Sequence, residues 1–96
     1  MSRAPKFKFR LYVAGDTENS AKALSNLTAL CGKHLENRHE IEIVDVFREP
    51  GRALEDRVFL TPTLVKLSPA PHQRIVGTLA HEHSVMQALG LGKLAV

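Results

Sequence analysis

The chain has 96 residues, with thirteen basic and ten acidic side chains and 44% hydrophobic residues. That size leaves room for one core, so a single domain over residues 1–96 is expected. The lone cysteine, Cys31, excludes a disulfide scaffold, and no apolar run approaches the roughly 18 residues of a membrane span.

The opening MSRAPKFKFR is charged without an apolar run behind it, so it is not a secretory signal and a cytoplasmic protein is expected. Arg3, Lys6, Lys8 and Arg10 make this end basic, whereas residues 36–56 carry Glu36, Glu40, Glu42, Asp45, Glu49, Glu55 and Asp56. The charge is polarised rather than uniformly basic. Without a basic cluster interleaved with aromatics, neither nucleic acid nor membrane is expected as a partner.

Residues 6–13 alternate. Phe7, Phe9, Leu11 and Val13 point one way and Lys6, Lys8 and Arg10 the other, which predicts a half-buried strand. Ala14-Gly15-Asp16-Thr17 breaks it, and Asp16 or Thr17 can cap a helix. Ala21, Leu24, Leu27, Cys31 and Leu35 then recur at helical spacing, predicting a helix over 18–35 whose last turn is weakened by Gly32. Ile41, Ile43, Val44, Val46 and Phe47 predict a second strand, apolar on both faces as in the interior of a layered fold, ended by Pro50-Gly51. Residues 52–59 read as a short helix. Leu64 to Leu67 and Gln73 to Gly77 predict two strands joined by the turn Ser68-Pro69-Ala70-Pro71-His72 as a hairpin. Thr78 can cap a last helix over 80–89, and Lys93 to Val96 are expected to fray.

The order is β-α-β-α-β-β-α. A helix between the first two strands makes them parallel, and the hairpin makes the last two antiparallel. The expected architecture is α/β: a thioredoxin-like mixed four-stranded sheet with flanking helices.

Reactive groups are scarce. The loop after the first strand holds no cysteine, and Cys31 falls on the apolar face of the first helix, where a thiol is an inert core residue. His81-Glu82-His83 resembles a ligand cluster, but residues two apart on a helix diverge, and zinc needs three or four ligands. His72, His34 and His39 read as exposed. There is no nucleophile elbow and no phosphate loop. No catalytic residue, metal or cofactor is expected, so the chain is read as a non-enzyme. The enzymatic alternatives are a cysteine-independent transferase of this fold and a histidine-metal hydrolase.

Several motifs, in order, resemble one known family. Leu11-Tyr12-Val13-Ala14-Gly15 with Asn19-Ser20 and Ala23-Leu24 is similar to the opening of the circadian clock protein KaiB family. Val44-Asp45-Val46 with Pro50, then Thr61-Pro62-Thr63-Leu64, Pro69-Ala70-Pro71 and Arg74-Ile75-Val76-Gly77, continue the resemblance over about residues 7–90. It implies a regulator that binds a KaiC-like ATPase and autokinase and modulates its phosphorylation. It also implies a homodimer or homotetramer in the free state, and a rearrangement of about residues 50–90 from an alternative ground-state fold in the second half. A KaiA-like protein or a histidine kinase are the further partners it implies; an adaptor or sensor-like domain for a histidine kinase is the alternative function. Gln73, Thr78 and Ala80 depart from the family pattern, and Lys93-Leu94-Ala95-Val96 stands where an acidic tail is typical. From these departures a divergent copy outside the standard clock is expected, paired with a different ATPase of the same type, as in stress response, and without a KaiA partner.

The candidate partner-binding surface is the exposed edge of the second strand with the end of the first helix, plus the region that rearranges. Its charged candidates are Lys6, Lys8, Arg10, Glu42, Asp45, Lys66 and Arg74. The conformational-switch candidates are Pro62, Pro69, Pro71 and Gly77, since X-Pro bonds interconvert slowly and make residues 60–77 a candidate for slow exchange.

Overall fold

The structure, a computed structural model, describes residues 6–91. The expected frayed end at 93–96 lies outside them. Four strands and three helices occur in the expected order: β1 (Phe7–Val13), α1 (Glu18–His34), β2 (His39–Asp45), α2 (Pro50–Glu55), β3 (Thr63–Ser68), β4 (Gln73–Val76) and α3 (Glu82–Ala88). They form one sheet in the order β2-β1-β3-β4. β1 and β2 are parallel, while β1/β3 and β3/β4 are antiparallel. This is the thioredoxin-like arrangement, and it extends through the second half of the described chain.

The alternation of β1 divides the molecule. Phe7, Phe9, Leu11 and Val13 enter a core with Ala23, Leu27, Leu30 and Cys31 of α1 and Val85 and Met86 of α3. Tyr12 faces the other side of the sheet, where a smaller cluster joins it to Val44, Ala53, Val58 and Val65 beneath α2. Two helices thus cover one face and one short helix the other.

Thr17 is the residue that caps α1. Its hydroxyl oxygen accepts from the Ser20 amide at 3.3 Å, and Ser20 Oγ in turn accepts from the Ala14 amide at 3.0 Å. The first bond satisfies a donor that a helix start leaves open, and the second ties the loop after β1 to the helix. Gly32 does not shorten the helix, because Leu30, Cys31 and Leu35 are buried on either side of it.

Several expected boundaries are corrected. β2 ends at Asp45 rather than Phe47, because Asp45 Oδ1 accepts from the amides of Gly15 (3.2 Å) and Phe47 (2.9 Å) and turns the chain. β2 is also an edge strand, with Val44 buried and Ile43 47% exposed, not a strand apolar-packed on both faces. Pro50-Gly51 opens α2 instead of merely ending the strand, since proline's fixed φ suits a first helical turn. The helix stops at Glu55, ahead of Arg57 at φ 55°, a left-handed conformation that no helix contains. Likewise Leu79 sits at φ 63° with its side chain buried, so α3 starts only at Glu82. Its cap residue is His81, while Thr78 gives its carbonyl to Asn26 Nδ2 at 2.8 Å.

Leu27 is fully buried in the larger core. Leu27→Ala is expected to lower unfolding free energy by about 2–5 kcal/mol in a urea titration, against under about 0.5 kcal/mol for exposed Thr28→Ala.

Candidate functional site

The α2 face of the sheet carries a connected set of charges. β1 and β2 pair in a register that puts Arg10 beside Glu42. Arg10 Nε donates to Glu42 Oε1 at 2.7 Å, and its Nη1 to Asp56 Oδ2 at 3.0 Å. Arg52 of α2 meets Glu42 Oε2 at 2.8 Å. The Tyr12 hydroxyl donates to Asp56 Oδ2 and lies 3.2 Å from the Arg52 carbonyl. The Glu42 carboxyl is held below its ordinary range by hydrogen bonds from Arg10 and then Arg52. The Asp56 carboxyl is held low first by the Tyr12 hydroxyl and then, against some burial, by Arg10. Burial and the neighbouring carboxylate push the Tyr12 phenol up, so it stays a donor. The Arg10 guanidinium is raised chiefly by Glu42.

The seven charged candidates therefore divide. Lys6 is exposed and pairs with Glu40 at 3.1 Å, and Lys8 is exposed beside it on the same face. Arg10 and Glu42 belong to the internal network, and Asp45 holds the turn after β2. Arg74 is exposed but donates to the carbonyls of Asp56 and of Arg57, the latter at 2.8 Å. Lys66 is corrected most sharply: the expected surface lysine is 3% exposed. Its ammonium donates to the Leu89 carbonyl at 3.2 Å and lies 5.8 Å from the Phe7 ring centroid. Burial pushes this amine below its ordinary value.

The four switch candidates do not converge. Pro62 is buried, and its carbonyl accepts from the Gly77 amide at 2.9 Å. Gly77, at φ 121°, has a conformation that side chains resist. Pro69 and Pro71 lie at the far end of the β3–β4 hairpin. The Thr61–Pro62, Ser68–Pro69 and Ala70–Pro71 peptide bonds are cis.

A second feature is apolar, and sequence patterning did not find it. The parallel strands β1 and β2 finish, β3 begins and β4 finishes at the same end of the sheet. At or beside that end stand Phe47 (74% exposed), Phe59 (78%), Leu60 (64%) and Val76 (53%). Phe47 is expected in the second strand and Phe59 at the end of the helix over 52–59, but β2 ends at Asp45 and α2 at Glu55. The one sequence signal was position: Phe59-Leu60 stands between a marginal helix and Pro62, with no periodic partner. Between the β1–α1 loop and the β2–α2 turn lies an open groove of about 550 Å³, lined in part by Gly15, Asp16, Leu24, Ile43 and Arg48. The Phe47 ring lies against Gly15, where an added Cβ would come within 3.5 Å of it.

The thiol is enclosed, and two of the histidines have partners of their own. Cys31 is fully buried and its thiol is pushed up to about 11, far from a thiolate at neutral pH. His81 and His83 are exposed, as is His72. His34 and His39, read as exposed, are half-buried with partners: Glu82 Oε2 at 3.1 Å and the Leu35 carbonyl at 2.8 Å. Among the described residues, no group of three or more His, Cys, Asp or Glu is placed to hold a metal ion. No helix there is long and apolar enough to cross a membrane.

A KaiB domain model matches residues 10–91. The chain belongs to the KaiB family. It is 37% identical over 82 residues to the circadian clock protein KaiB3 of Synechocystis sp., covering 85% of this chain and 80% of that one. It is 38% identical over 85 residues to the circadian clock oscillator protein KaiB of Thermostichus vulcanus, covering 88% and 79%. The fold is shared more widely. The N-terminal domain of Synechococcus elongatus SasA superposes at a TM-score of 0.76 with 18% identity, covering all of this chain and 90% of that one. Chloroplastic thioredoxin z does so at 0.75 with 17% identity, covering 93% and 80%. This KaiB family member therefore carries the thioredoxin-like fold while its single cysteine stays inside the core.

Two outcomes test the placement of these side chains. Glu42 and Asp56 have lower pKa values folded than unfolded, so their stabilisation is present above their ordinary values of 4.5 and 3.8 and is lost as pH falls through and below them. Urea midpoints measured from about pH 7 to pH 3 are expected to fall more steeply for the parent chain than for Asp56→Asn. Lys66→Ala removes a packed stem and leaves a carbonyl without its donor, and is expected to cost about 1–3 kcal/mol of unfolding free energy. The same change at exposed Lys8 is expected to stay within about 0.5 kcal/mol.

Proposed function

We propose that this chain is a non-catalytic regulator that binds a KaiC-like ATPase and autokinase and modulates its phosphorylation state within a circadian or related timing or stress system. The observation that carries the reading is the apolar end of the sheet. Large exposed apolar side chains grouped on a small domain are characteristic of surfaces that another protein covers. Phe47, Phe59, Leu60 and Val76, at or beside one end of the sheet, supply such side chains, and the Phe47 ring borders Gly15, which lines the groove. The curated relatives named above are circadian clock proteins, which supports a clock-type role for a domain that presents a surface and no reactive pair.

In this reading the chain acts as one domain. Lys6 and Lys8, exposed on the α2 face, add charge that meets acidic groups on the ATPase. Self-association into dimers or tetramers in the free state, with residues 50–90 rearranging, belongs to the same proposal. A KaiA-like protein and a histidine kinase are further partners within it.

The test is to mix the purified chain with its cognate KaiC-like ATPase and nucleotide and to follow complex mass over hours. A complex is expected; its absence with and without nucleotide overturns the proposal. Phe59→Ser is expected to weaken association about tenfold or more, as loss of a central aromatic anchor does. Its unfolding midpoint is expected to match the parent's, because Phe59 is 78% exposed.

A further inference from the structure

α2 and the turn after it cover one face of the sheet with little apolar contact. Ala53 and Val58 are the residues this segment buries, while Leu54 is 67% exposed. Six residues are too few for a helix to persist by itself, and α2 has no side-chain bond at its N-cap. Beside this small apolar contact the segment is held by polar ones, and several of them pass through one residue. The Asp56 carboxylate accepts from Arg10 at 3.0 Å and from the Tyr12 hydroxyl, both on β1. The Asp56 carbonyl accepts from Arg74 on β4, which also takes the Arg57 carbonyl at 2.8 Å. β1 and β4 are not neighbours; β3 lies between them. Two strands therefore grip the same residue, one by its side chain and one by its backbone.

We propose that Asp56 is a clasp that holds residues 50–58 against the sheet as a strap, and that releasing it lets the strap open while the rest of the fold stays closed. The division of the core makes this local. The α1–α3 side holds Leu11, Leu27 and Leu64 fully buried, with side chains in a different cluster, on the other face of the sheet from Tyr12. Local opening favours the parts of a fold with few buried apolar contacts. The strap leads directly into Phe59 and Leu60, so its opening displaces two side chains of the apolar end. That last link rests on the interaction surface proposed above; the opening itself does not.

Amide hydrogen exchange tests the clasp. The amides of Arg57 and Val58 donate to the carbonyls of Leu54 (3.1 Å) and Ala53 (2.8 Å) and report the strap. In Asp56→Ala both are expected to exchange about tenfold faster or more, with the amides of Leu11 and Leu27 unchanged. Asp56→Asn, which keeps an acceptor but loses the charge, is expected to fall between, and Glu55→Ala to match the parent. Unchanged exchange at Val58 overturns the clasp, and so does equal acceleration across the chain. If Asp56→Ala does not fold, Tyr12→Phe removes only the hydroxyl, and acceleration confined to the strap is expected again; none overturns the clasp. Binding of Asp56→Asn to the KaiC-like ATPase is then compared with the parent's. Faster exchange with unchanged affinity overturns the coupling to binding, whereas no complex with the parent chain overturns the interaction surface and leaves the clasp standing.

Discussion

The pairing of β1 on both of its edges constrains every other part of the molecule. A strand hydrogen-bonded on two sides cannot shift by one residue without turning its apolar set over to the wrong face. Phe7, Phe9, Leu11 and Val13 are thereby fixed toward α1 and α3, and Lys8, Arg10 and Tyr12 toward α2. Every side chain of interest is placed by that choice. The larger core closes on one face, and the charge network and the strap are left to the other.

The two faces are stabilised in different ways. Under α1 and α3 the contacts are apolar, and even a buried amine, Lys66, is used to hold the Leu89 carbonyl at the end of α3. Under α2 a smaller apolar cluster is joined by ion pairs and charge-assisted hydrogen bonds running from Glu42 through Arg10 to Asp56. Such bonds are strong when partly shielded but directional, so they weaken abruptly when geometry changes. An apolar cluster tolerates small displacements far better. The same molecule thus has a firm side and a side held by few points.

This distribution fits the proposed role of a domain that acts by presenting a surface. Several of its charged residues are engaged with one another or with backbone carbonyls, its thiol is enclosed, and His34 and His39 have structural partners. At one end of the sheet Phe47, Phe59, Leu60 and Val76 face solvent. The KaiB family relationship and the thioredoxin-like fold meet at this point: the scaffold is shared with thioredoxins, while the exposed end carries apolar contact groups.

The order of residues was enough to read the element order, the facing of β1, the helical stripe of α1, the parallel and antiparallel pairings and the family. Each depends on local periodicity or on motifs a few residues long, and such signals survive without knowledge of neighbours. Which charges meet was settled only by packing in three dimensions. Arg10 and Asp56 are 46 residues apart in the chain, and Tyr12 and Asp56 are 44. Nothing local distinguishes Asp56 from Glu55 beside it. Packing also buried Lys66 and left Phe47 and Phe59 exposed, reversing the hydropathy expected of those residue types. A side chain's environment is set by which elements pack over it, and in this chain the short α2 and the late start of α3, delayed by Leu79, made that choice.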